Sequence, residues 1–118
     1  MTPKAFEAAC LALPAATLSV QWGEARVFKV GGKMFALIGL NHGEGAPAYN
    51  FKASDMAFEL LVEHGLARPA PYLRRAKWVR LVGPDALGDD DLEAYLGQAH
   101  ALVAARLTRA RKRELGLG

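Results

Sequence analysis

One cysteine among 118 residues excludes an internal disulfide. Cys10 shares the apolar stripe of the first predicted helix, so it is expected to be a buried, inert small hydrophobe, and a reducing cytoplasm is the expected setting. Long apolar runs are missing as well: nothing approaches the ~18–20 residues of a membrane span. The opening MTPKAFEAACLALP lacks the basic start and apolar centre of a secretory signal. Histidine is scarce. His42, His64 and His100 share no ligand spacing, so no metal and no cofactor is expected. VGGK (30–33) resembles half of a phosphate loop, but it sits in a hairpin with no helix after it. No Ser-His-Asp set emerges from spacing, and the chain reads as non-enzymatic. No repeat, low-complexity segment or linker divides it, so residues 1–118 are expected to form a single domain.

What is present is enough for a core: 52% of residues are hydrophobic and 23% charged. The net charge of +3 and an isoelectric point near 9.2 permit an anionic partner without requiring one. Thr2-Pro3 has the form of a helix start, and Phe6, Ala9, Cys10 and Leu13 follow at helical spacing until Pro14. LSVQW (18–22), RVFKV (26–30), MFALIGL (34–40) and YNFKA (49–53) read as strands. Gly31-Gly32 predicts a two-residue hairpin turn, because both turn positions need positive φ. Ser54-Asp55 caps a second helix that ends at Gly65. KWVRLV (77–82) is a fifth strand, and Asp89 to Asp91 open a long last helix running to about Arg113. The order α-β-β-β-β-α-β-α predicts an α+β two-layer sandwich, an antiparallel meander with helices packed on one face.

Alternation along those strands divides their side chains between a covered and an open face. With the Gly-Gly turn as origin, Val30 pairs with Lys33, Lys29 with Met34 and Phe28 with Phe35. Phe28, Val30, Phe35 and Leu37 then point inward; Val27, Lys29, Met34, Ala36 and Ile38 point outward. Tyr49, Phe51, Val79 and Leu81 go inward, leaving Asn50, Lys52, Trp78 and Arg80 on the open face, with Gln21 beside them. No acidic residue is expected there. The stretch PAPYLRRAKWVRL (69–81) adds Arg74, Arg75 and Lys77 at the entry to the fifth strand, again with no acid. Lys29, Lys52, Arg74, Arg75, Lys77, Trp78 and Arg80 thus form the candidate nucleic-acid-binding set. The basic side chains contact phosphate and the tryptophan offers a stacking surface. Lysines and arginines on a solvated sheet face are also ordinary, and edge lysines discourage strand-to-strand association.

Two charge clusters remain. Asp85, Asp89, Asp90, Asp91 and Glu93 suit the positive end of a helix, which accounts for them without a metal. Arg106, Arg109, Arg111, Lys112 and Arg113 suit a helix C-terminus and read as a flexible tail, with a second polyanion contact as the other reading.

Trp22-Gly23, VFKVGGKMFA (27–36), YNFKAS (49–54), Gly65 with PAPYL (69–73), Trp78-Val79 and LVAARL (102–107) together resemble the MmcQ/YjbR family of small bacterial proteins, over nearly the whole chain. That resemblance implies a fold like frataxin (CyaY) and like the double-wing DNA-binding domain of the phage transcription factor MotA. Glu24 and Ala25 stand where many relatives have a histidine after Trp-Gly, and Ala99-His100 where relatives often have Ser-Tyr. The reading is a DNA-binding protein of low sequence specificity using its open basic sheet face. The alternative is a protein- or small-ligand-binding module using the same face, with Met34, Ile38, Val27 and Trp78 as its floor.

Overall fold

Residues 1–21, 25–39, 47–71 and 76–117 are described by a computed structural model. Helix α1 (Pro3–Leu11) begins as its sequence predicts: the Thr2 hydroxyl accepts the Ala5 N–H at 3.1 Å. Strands β1 (Ala16–Gln21), β2 (Ala25–Val30), β3 (Lys33–Gly39) and β4 (Ala48–Lys52) follow as an antiparallel meander. Gly31 and Gly32, at φ 60° and 81°, make the turn between β2 and β3. Helix α2 (Asp55–Glu63) is capped by Ser54, whose hydroxyl accepts the Ala57 N–H. Strands β5 (Ala67–Pro69) and β6 (Trp78–Leu81) complete a six-stranded sheet of order β1-β2-β3-β4-β6-β5.

Strand β5 is absent from the sequence-based order. It has three residues and ends in a proline, which donates no hydrogen bond and is tolerated because β5 lies at the sheet edge. The expected long last helix is instead two: α3 (Asp89–Ala104) and α4 (Arg109–Glu114). Thr108 begins α4, its hydroxyl accepting the Arg111 N–H at 3.1 Å. The basic segment is therefore an ordered helix rather than a flexible tail. It closes on Gly116 at φ 74°, where the Leu117 N–H reaches back to the Lys112 carbonyl.

Helices α1, α2 and α3 share one core with one face of the sheet, as the two-layer reading expects. Phe6 and Cys10 of α1, Ala57 and Leu61 of α2, and Leu92, Leu96, Ala99 and Val103 of α3 pack on Phe28, Val30, Phe51 and Val79. The Tyr49 ring stacks on Phe6 at 4.5 Å, and its hydroxyl donates to the Met1 carbonyl. His100 is buried too, with its Nε2 donating to the Pro14 carbonyl at 2.7 Å.

One detail of register departs from simple alternation. Lys29 pairs with Met34, but Phe28 pairs with Ala36 rather than Phe35, so Phe35 is the extra residue of a β-bulge. Beyond it the parity of β3 inverts. Phe35, Ala36 and Ile38 all face the helices, and Leu37, expected in the core beneath them, faces away. The outward placement of Ala36 and Ile38 is thereby corrected.

The open sheet face as a candidate nucleic-acid interface

With the bulge accounted for, one row of paired residues crosses the whole sheet on the face away from the helices. It runs Ser19, Val27, Leu37, Asn50, Arg80, Arg68, one residue from each strand. Lys29 and Met34 flank it toward the β2–β3 turn, as do Lys52 and Trp78. Among the described strand residues of this face, none is acidic.

The centre of the face is apolar and closed. Val27, Leu37, Ala70 and Trp78 form a second cluster with Met34 against it, and Val27 is wholly buried. Trp78 is 4% exposed. It points to the expected side of the sheet but presents no ring face to a base, so its role as a stacking platform is corrected. The Ala70 N–H bonds the Trp78 carbonyl at 2.9 Å, extending the β5–β6 pairing by one step past Pro69.

Asn50 is 2% exposed and fully engaged. Its Nδ2 donates to the Ala48 carbonyl at 3.1 Å, and its Oδ1 accepts Arg80 Nε at 3.0 Å. A buried amide with both ends satisfied is a rigid anchor. It fixes the Arg80 side chain and leaves the outer guanidinium nitrogens for another acceptor. Arg68, exposed on β5, lies directly opposite Arg80. Sequence reading missed Arg68 because it missed β5. The available signal was Ala67 facing the core, which turns Arg68 outward.

The remaining candidates divide. Lys29 is half-exposed on the open face with no bonded partner among the described residues. Lys52 starts there, but its ammonium donates to the Ala76 carbonyl at the end of the sheet. Burial, then the charges of Arg106 and Lys77, hold that ammonium below the usual lysine value, with Asp55 opposing. Lys77 does not join the open face. It sits in the left-handed region at φ 59°, breaking the alternation at the entry to β6, and its ammonium lies 4.9 Å from the Phe58 ring centre on the helix side. Arg74 and Arg75 lie outside the described residues, as do Trp22, Glu24 and His42.

Elsewhere, Asp85 and Asp89 take the Met1 ammonium at 3.0 and 3.4 Å, and the hydrogen bond it donates to Asp85 foremost raises its pKa. Among the described residues no three histidine, cysteine or acidic side chains converge as metal ligands. No helix among them is long and apolar enough to cross a membrane.

Comparison with known proteins agrees with this architecture. The crystal structure of Deinococcus radiodurans protein DR2400, which carries the family-model domain DUF419, superposes with a TM-score of 0.80. The match covers 95% of this chain and 86% of that one at 24% identity, a likeness of fold. No curated protein matches. The YjbR family model matches residues 11–102, from the end of α1 through most of α3, and the chain belongs to the YjbR family.

Proposed function

We propose that this protein binds DNA without acting on it chemically, gripping the phosphate backbone with the open sheet face and reading little sequence. The observation that carries the proposal is the cross-strand pair Arg68 and Arg80, with Lys29 on the same face, whose described strand residues include no acid, and Asn50 holding one guanidinium in place. Guanidinium groups suit phosphate because their donors form a planar fork. Base reading needs an element that enters a groove, and the described strand residues of this face lie in a sheet whose apolar side chains are buried. The double-wing-like fold that the family resemblance implies would support the reading by analogy of fold alone.

A titration of labelled mixed-sequence duplex by fluorescence anisotropy, repeated across salt concentrations, tests it. Contact with ~3–5 phosphates gives a log-log salt slope of roughly −3 to −4.5. Because Trp78 is buried, single strands should gain no stacking from it, and duplex should bind at least as well. Absence of salt-dependent binding to either form sinks the proposal. A protein partner on the same face would meet Met34 as its partly exposed apolar group, because Val27, Leu37 and Trp78 are buried. A small ligand would find instead a cavity of about 390 Å³ that opens on the helix side between α2 and α3, lined by Leu60, His64 and Tyr95 among others.

A further inference from the structure

The turn between β2 and β3 marks one end of the molecule, and four separate parts of the chain bring cations to it. Lys33 follows the turn directly and is exposed. Lys52 ends β4, and Lys77, whose carbonyl accepts the Ala53 N–H at 3.0 Å, precedes β6. Arg106 lies in the link between α3 and α4, near enough to Lys52 to act on its charge. Leu107, in the same link, packs on the turn: a Cβ at Gly31 would lie 2.7 Å from its methyl carbons. That contact seats α4 beside the hairpin. Leu115 and Leu117 add apolar contacts with the main core, so α4 is docked along one side while Arg109 and Arg113 stay exposed. Arg111 is paired with Glu114 at 2.9 Å and is the exception.

Like charges gathered in this way repel one another, as Arg106 and Lys77 act on Lys52. Around these cations stand Asp55 and Glu114, whereas Asp85 and Asp89 to Asp91 lie at the opposite end with the Met1 ammonium. A bound polyanion removes the repulsion. Lys29, on the open face one pair above the turn, links the two surfaces.

We infer that the hairpin end, comprising Lys33, Lys52, Lys77, Arg106, Arg109 and Arg113, is a second backbone contact for nucleic acid, continuous with the open face. The inference rests on the proposed DNA binding and adds where the duplex goes. It leaves the sheet past Lys29 and runs along the outer side of α4. The helix contributes no base contact; it lengthens the site and adds phosphates.

The test compares two variants of the full chain by anisotropy with labelled mixed-sequence duplexes, one short and one about twice as long. Arg106→Gln/Arg109→Gln/Arg113→Gln changes exposed side chains only, and circular dichroism checks that it folds. On the long duplex it should flatten the salt slope by about 2–3 and weaken binding about tenfold or more at low salt, while short-duplex affinity hardly changes. Arg68→Ala/Arg80→Ala should weaken both lengths alike. An unchanged long-duplex slope in the triple variant, with wild-type binding intact, overturns the second contact and leaves the face reading standing. Failure of the wild type to bind any duplex overturns both. Loss of binding to phosphatidylserine vesicles in the triple variant, with DNA binding unaffected, assigns the hairpin end to a membrane surface and overturns it too.

Discussion

Beneath the helices, Phe6, Phe28, Phe35, Tyr49 and Phe51 are each at most 1% exposed and run into one continuous core. Across the same sheet, the apolar cluster stops at Val27, Leu37, Ala70 and Trp78, and arginine, lysine and a buried asparagine surround it. The first face makes the fold stable because aromatic and aliphatic area is removed from water there. The second is closed enough to be rigid yet keeps its cations accessible. Cations held on a firm backing suit a phosphate backbone, and a fully solvated face would hold its arginines less firmly.

The comparison breaks or holds at Phe51 first. Phe51→Ala removes a wholly buried ring that stacks on Tyr95 at 5.8 Å, and should cost about 4 kcal/mol in urea unfolding. Arg68→Ala, on the other side, should stay within about 0.5 kcal/mol. Comparable losses from the two changes would mean that Arg68 is part of a packed layer.

Trp78→Ala sharpens the comparison, because alternation alone makes Trp78 a dispensable surface ring. Its burial with Val27 and Leu37 predicts a loss of about 3 kcal/mol, near the low end for tryptophan truncation. A loss close to zero, together with strong quenching of native fluorescence by iodide, would put the indole back in solvent.

Alkaline pH tests the covered face from another direction. Burial pushes the Cys10 thiol up to about 12 from 9.0, and burial followed by the charges of Asp85 and Asp89 pushes Tyr49 up to about 12 from 10.0. Both folded values lie above the unfolded ones. Their contribution is therefore fully present below pH 9 and is lost as pH rises toward 12. Between pH 9 and about 10.5 the urea midpoint should fall by the equivalent of about 2 kcal/mol. Cys10→Ala should abolish most of that fall, and native Cys10 should resist thiol reagents. Rapid native labelling would place the thiol in water.

Much of this contrast was legible in the sequence, and its exceptions have physical causes. Gly31-Gly32 announced the hairpin because few other pairs adopt positive φ twice. The faces of β4 and β6 followed from unbroken alternation. Leu37 and Ile38 were misassigned because a bulge at Phe35 leaves no mark in a run of apolar residues. Trp78 was expected in solvent because strand alternation gives a side and says nothing of what folds over it. Lys77 was misplaced because a lysine at φ 59° is set by tertiary context rather than local preference. Arg68 was lost with β5, whose three residues and proline carry too little pattern. The candidate site was therefore half readable. Its charges were visible, while their positions depended on a bulge, a left-handed residue and a short edge strand.

The smallest effect separates charge from geometry at Arg80. Arg80→Lys keeps one positive charge on the open face but removes the Nε–H that Asn50 Oδ1 accepts at 3.0 Å. Asn50 is 2% exposed, so its oxygen has little access to water and should be left short of a donor. Stability should fall by about 1 kcal/mol. The salt slope should not change, because the count of phosphate-pairing cations is the same. Affinity for duplex should drop only about two- to fivefold, since a lysine is a point charge that no longer has Asn50 to aim it. Arg80→Ala differs in kind: it should flatten the slope by about one unit. A lysine variant that flattens the slope as much as alanine does would show that Asn50, and not the charge it orients, places Arg80 against phosphate.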